Sequence, residues 1–210
     1  MKYIVLLLIY LSTIISSVII EESSTDTALV NIVEYFDEEC IYQTGNSLTG
    51  LPKYCFAYEF LPFNFSMEIV KDFMVQVNLY NENICSNNPE NTTDYFLNRC
   101  SRSLFHSDLY IMVQTVSEFP ENTDNGVAID FKNPNKLVGQ FNFKEGNSIN
   151  AMFTNYETVY TYNCNPQPLI QVCEYITWNT DHPDKWVCFN ENLNNYFGSR
   201  NSINSTCVGN

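Results

Sequence analysis

The sequence is poor in histidine, in positive charge and in catalytic motifs. Its two histidines, His106 and His182, leave little for His-based catalysis or a His-rich metal site. Lys+Arg number 10 against Asp+Glu 24, a formal net charge of -14. Phosphate binding needs a positive stripe, so nucleic acid is not expected as a partner. Anionic membrane surfaces are equally unsuited. There is no Gly-x-Ser-x-Gly, no His-Glu-x-x-His and no Gly-rich phosphate loop. Ser107 and Asp108 beside His106 make no triad, because triad members meet in space rather than along the chain. His106 reads as a surface histidine and His182 as a helix-start residue. The acidic pairs Glu21-Glu22 and Glu38-Glu39 read as solvated. No catalytic residue, metal or cofactor is expected.

What the chain has is apolar bulk and cysteine. Hydrophobic residues make up 45% and aromatics 15%, with Tyr 14 and Phe 15, enough for a core and too much for a disordered chain. Met1 and Lys2 precede an apolar run from Tyr3 to Ile20, which reads as a secretory signal peptide over residues 1–20. Cleavage is expected between Ser16 and Ser24. The alternative is a retained anchor, since the run is near bilayer-spanning length. No other segment could span, so a secreted protein without stable membrane insertion is expected. Residues 21–39 read as an N-terminal arm and 40–207 as one domain. Export implies an oxidising compartment. There Cys40, Cys55, Cys85, Cys100, Cys164, Cys173, Cys188 and Cys207 can all pair, and no C-x-x-C argues for zinc. Three sequons, at Asn64, Asn91 and Asn204, are glycosylation candidates.

The patterning is that of strands. From Tyr54 to Phe60 large rings fall on alternate positions, and Asp72–Tyr80 places Phe73, Val75, Val77 and Leu79 on one side. Further strands are expected over Leu109–Val116, Leu137–Phe143, Ala151–Phe153, Thr158–Cys164 and Leu169–Trp178. The segment Cys85–Ser107 is ambiguous: Asn91-Thr92-Thr93 suggests a loop and Tyr95-Phe96-Leu97 a strand. Turn signals recur about every ten residues, as at Asn133-Pro134-Asn135, which indicates a sandwich or a closed antiparallel barrel. Near the end the period changes. Trp186, Phe189, Leu193 and Phe197 sit three or four apart, which predicts one amphipathic helix between His182-Pro183 and Gly198.

Three stretches carry a family resemblance. Asn133-Pro134-Asn135-Lys136-Leu137 resembles the Pro-x-Lys-Leu step that opens the fifth strand of lipocalins of the apolipoprotein D and bilin-binding branch. Phe153-Thr154-Asn155-Tyr156-Glu157 is similar to the family's Thr-Asp-Tyr motif, and Tyr160-Thr161-Tyr162-Asn163-Cys164 to its Val-Tyr-x-Cys strand ending. The chain departs from the family at Tyr54, where the first motif has Trp, and at Asn179 and Thr180, where the third supplies Arg. The resemblance implies an all-β fold: an eight-stranded antiparallel up-and-down barrel with one C-terminal helix outside. It implies a Cys40–Cys164 bridge. In such a barrel the first and last strands are neighbours, which sets Cys55 against Cys173 and leaves Cys85–Cys100 and Cys188–Cys207, with Cys85–Cys207 as an alternative.

A barrel of this kind implies a calyx for one small hydrophobic or amphipathic ligand, a fatty acid, retinoid, sterol or tetrapyrrole. The candidate lining residues are Phe56, Tyr58, Phe73, Val75, Val77, Ile111, Val113, Phe141, Phe143, Tyr160, Tyr162 and Tyr175. The expected function is that of a secreted carrier. The alternative is a glycosylated, disulfide-rich β domain that acts on an extracellular protein receptor without a small ligand, with Cys85–Ser107 as its candidate surface.

Overall fold

The computed structural model describes residues 28–56, 64–81, 85, 88–106, 108–121, 125–150, 158–164, 166–176, 185–197 and 202–209. The expected signal peptide, Tyr58, His182 and the Ala151–Phe153 strand lie outside them. In chain order the first strands are β1 (Leu29–Tyr35), β2 (Gln43–Gly50), β3 (Cys55–Phe56), β4 (Asn64–Lys71), β5 (Met74–Tyr80), β6 (Asn91–Phe96), β7 (Cys100–Arg102) and β8 (Tyr110–Val116). There follow β9 (Gly126–Asn133), β10 (Lys136–Lys144), β11 (Ser148–Asn150), β12 (Thr158–Cys164), β13 (Pro168–Ile176) and β14 (Lys185–Asn192). A short helix, α1 (Leu193–Phe197), and β15 (Ile203–Val208) complete the described elements.

These strands form three sheets, ordered β15-β9-β10-β2-β1-β8-β7, β3-β4-β5-β6 and β11-β12-β13-β14. Paired residues in antiparallel strands point to the same face. The row Ile129, Phe141, Leu48, Ile32, Val113 therefore lays an apolar stripe across five strands of the large sheet. The next row, Asp130, Gln140, Thr49, Asn31, Gln114, lies on the opposite face. It bonds laterally: Thr49 Oγ1 donates to Asn31 Oδ1 at 2.9 Å and Gln140 Nε2 to Asp130 Oδ1 at 3.1 Å.

The β3–β6 sheet covers the apolar stripe. Its period-two pattern buries Phe65 and Met67 on β4 and Val75, Val77 and Leu79 on β5 completely. Phe56 lies 5.0 Å from Phe141 and 5.7 Å from Phe131, centroid to centroid. It enters a recess made by Gly139 and Gly50, which stand directly opposite each other on β10 and β2. The third sheet branches off past the β10–β11 turn, where Gly146 (φ +79°) donates to the Tyr162 carbonyl at 3.1 Å. Its inner face is joined to the large sheet by the Phe143 and Tyr162 rings, stacked 3.9 Å apart.

The all-β expectation holds, but its finer form does not. None of the three sheets closes on itself among the described residues, so these strands form no eight-stranded up-and-down barrel. The reason is connectivity: β1 sits between β2 and β8, and the chain leaves the large sheet to build β3–β6 before returning. The segment assigned to an N-terminal arm supplies β1, an inner strand of that sheet, so residue 39 marks no boundary. Most of the expected C-terminal helix is instead β14, paired along its whole length with β13; only α1 is helical.

The disulfides are Cys40–Cys100, Cys55–Cys85, Cys164–Cys207 and Cys173–Cys188. None of the expected pairs, 40–164, 55–173, 85–100 or 188–207, is formed. A bridge needs Cα atoms within about 7 Å, and the actual partners stand 4.0–5.7 Å apart. Cys55 and Cys173 belong to different sheets, whereas Cys173 and Cys188 are direct cross-strand neighbours with Cα atoms 4.0 Å apart. Cys164 ends β12 beside Cys207 of β15, while the β1–β2 turn carries Cys40 to β7.

Candidate functional site

Nine of the twelve residues chosen as ligand lining lie in the hydrophobic core: Phe56, Val75, Val77, Ile111, Val113, Phe141, Phe143, Tyr160 and Tyr162. Phe73 is 53% exposed, because the β4–β5 turn ends there and β5 starts at Met74. Tyr175 faces away from the core with its ring 5.3 Å from Trp186. Burial pushes the phenols of Tyr160 and Tyr162 up, helped by the Glu174 charge in the first case and by Tyr160 in the second. Burial also pushes Tyr95 up to about 12, against a lowering hydrogen bond from the backbone at Leu104.

A cleft of about 20 Å³ opens between β1, β2, β10 and the segment before β8. It has room for about one water, far below the few hundred Å³ of a typical ligand pocket. Of the described candidates only Ile111 and Phe143 reach it. Its polar wall is Glu34, whose Oε1 meets His106 Nδ1 at 2.5 Å and whose Oε2 accepts from Thr44 Oγ1 at 3.1 Å and Asn46 Nδ2 at 2.9 Å. His106 is presented there by a turn in which Ser103 Oγ accepts the Phe105 and His106 N–H groups, each at 3.1 Å. It is therefore largely buried and bound to a carboxylate, not a surface histidine. No local signal could show this, since the partners lie 72 residues apart.

The most distinctive exposed surface lies at one end of the molecule. Phe73 and Phe96 stack at 6.1 Å with planes 7° apart. Lys71 Nζ stands 5.8 Å from the Phe73 centroid and Arg99 Cζ 5.9 Å from that of Phe96, within the range of a cation–π attraction. The Leu97 N–H to Phe73 carbonyl bond, 2.9 Å, locks the two turns together. Cys40–Cys100 fastens the β1–β2 turn directly after Arg99 and brings Phe36, Ile41 and Tyr42, all exposed, to the same end. Asp37 shapes that turn: its carboxylate accepts from the Ile41 N–H at 2.9 Å and the Tyr42 N–H at 2.7 Å. Desolvation pushes the Asp37 carboxyl up, but these backbone bonds outweigh it and hold it below the ordinary carboxylate value. Phe96 and Arg99 fall inside the segment the sequence singled out; Phe36, Ile41, Tyr42 and Phe73 were not singled out as surface.

Of the sequon residues, Asn91 at the start of β6 and Asn204 on β15 are exposed. Asn64 is half-buried, with its Oδ1 shielded from solvent. Among the described residues no group of three or more His, Cys, Asp or Glu is placed to hold a metal ion, and no helix is long and apolar enough to cross a membrane.

A family model described as counting factor-associated protein A/B/C matches residues 1–208. The chain belongs to that family. No curated protein and no solved structure matches it. The lipocalin resemblance is overturned by this match. Two of the stretches that suggested it are ordinary β features of a counting factor-associated protein, and Phe153–Glu157 lies outside the described residues. Asn133–Lys136 is the β9–β10 turn, and Thr158–Cys164 is a strand whose terminal cysteine bonds Cys207 rather than Cys40. Four disulfides with no free cysteine among the described residues fit an extracellular member of the family.

Proposed function

We propose that the protein is a secreted, non-enzymatic component of an extracellular protein assembly, glycosylated at Asn91 and Asn204, that docks through the Phe73–Phe96 end. The observation that carries this reading is the exposed aromatic stack with Lys71 and Arg99 above it. Aromatic residues and Arg are the types enriched in protein interfaces and in their hot spots. Lys71 and Arg99, two of only ten Lys and Arg in an acidic chain, both stand against this stack. The family's description, as proteins associated with a counting factor, agrees with action through another protein. The cleft of about 20 Å³ gives no support to a carrier.

The test is co-purification from conditioned medium of the producing cells, with the full chain as bait. Wild type should retain a stoichiometric protein partner. Phe73→Ser combined with Phe96→Ser should weaken it by about 2 kcal/mol or more, the scale of a hot spot. Saturable quenching of the native protein by a fatty acid or retinol, with no partner bound, would overturn the reading.

A further inference from the structure

The third sheet ends on an unusual strand. β14, Lys185–Asn192, pairs with β13 on one side and has no strand on the other among the described residues. It is exposed along nearly its whole length, and Trp186, Val187 and Phe189 are among the exposed large hydrophobics of the molecule. Natural sheets blunt such edges with prolines, bulges or inward-pointing charges, because a bare edge is a template for another strand. Between Trp186 and Phe189 this edge has none of these.

The backbone polarity of the free side can be read from the disulfide. Cys173 and Cys188 stand directly opposite with Cα atoms 4.0 Å apart. That is the close spacing of an antiparallel pair that exchanges no ladder bonds, as against about 5.5 Å for one that does. Cys188 therefore turns its N–H and C=O away from β13, and by the period of two so do Trp186 and Asn190. These groups face the open edge.

We propose that the partner of this edge is β14 of a second copy, joined antiparallel about a two-fold axis through Cys188. In that register the Cys188 backbones of the two copies bond each other, and Trp186 bonds Asn190 of the second copy. Three pairs supply six ladder hydrogen bonds. The side chains are complementary on the same register. Lys185 falls opposite Glu191 of the second copy, and Val187 opposite its Phe189. Charge meets charge at both ends and apolar meets apolar between them. The apolar row of the inner face, Ile149, Tyr160, Val172, Phe189, which starts in the core and ends exposed, continues onto Val187 of the second copy. Two four-stranded sheets become one of eight, and two exposed edges disappear.

The experiment is sedimentation velocity on the full chain, secreted from a eukaryotic cell, over a concentration series. Wild type should self-associate to a dimer. Lys185→Glu puts like charges opposite each other at both ends of the register, and so does Glu191→Lys. Each should raise the dissociation constant by about tenfold or more. The two variants mixed should form a heterodimer of wild-type strength, because each then meets its complement. The double variant should self-associate like wild type. Both positions are exposed, so folding should be unaffected. Trp186→Pro, which removes an edge-facing N–H and spares the β13 ladder, should give a monomer and stands as the second probe. A wild type that stays monomeric throughout the series would overturn the proposal. So would a dimer indifferent to all three variants, or a mixture no tighter than its components.

Discussion

A Cβ on Gly139 would lie 2.3 Å from Phe56 Cε1, and one on Gly50 would lie 2.5 Å from Phe56 Cζ. The ring cannot give way, because Phe65 stacks on it, Phe141 packs tilted against it and the Cys55–Cys85 bridge anchors the preceding residue. Gly139→Ala should therefore destabilise the fold by about 1–3 kcal/mol through overpacking, read as a lower urea midpoint. Phe56→Leu in the same chain should recover part of that loss, with a coupling of about 0.5–3 kcal/mol in the double-mutant cycle. An unchanged midpoint for Gly139→Ala would show that the ring is not locked. The buried tyrosines give a second residue-scale outcome. Tyr95, pushed up to about 12 by burial, and Tyr160 and Tyr162, pushed up likewise, are neutral in the folded state. A raised folded pKa means that their contribution to stability is complete below the ordinary 10.0 and is lost as pH rises through the raised value, about 12 for Tyr95. After a jump to alkaline pH, phenolate absorbance should rise in two phases, the slow one matching unfolding and covering at least these three of the 14 tyrosines. One fast phase for all would contradict their burial.

Elements with a clean period of two and an apolar inner face could be read directly. Thr158–Cys164 is β12 to the residue, and β5 and β8 lie inside the ranges expected for them. β14 was misread because Trp186, Val187, Cys188 and Phe189 are four consecutive apolar residues on an edge, where neither face need be polar. Their spacing to Leu193 and Phe197 then imitates a helical stripe. What decides for a strand is not local: Cys188 is held opposite Cys173 across the β13–β14 ladder. β1 was missed for the opposite reason. Its Leu-Val-Asn-Ile-Val-Glu-Tyr run has Asn31 and Glu34 buried, so alternation is blurred. Those polar residues are tolerated only because Thr49, Thr44, Asn46 and His106 reach them from other strands and loops. The candidate surface was half-legible likewise: Phe96 and Arg99 lay in a segment marked for its ambiguity, while Phe36, Ile41 and Tyr42 join them only through Cys40–Cys100.

At the scale of the molecule, turns and loops are gathered at the ends of packed sheets. The disulfides do part of that gathering, and their arrangement is regular. The 40–100 bridge encloses 55–85, and 164–207 encloses 173–188. The segment after β8 holds exposed Ser117, Glu118 and Glu121 and lies between the two sets. A specific protease site placed there and cut should yield two bands on a gel without reductant, while the native particle keeps its sedimentation coefficient. A single band would mean a bond between the sets. The cut particle would stay together because β2 is hydrogen-bonded to β10 and the rings of β3 and β4 rest on Phe131 and Phe141. The protein is thus built as two separately cross-linked polypeptides that happen to share one chain. A single nick would turn it into a two-chain protein, and either piece could then be exchanged for its counterpart from another molecule.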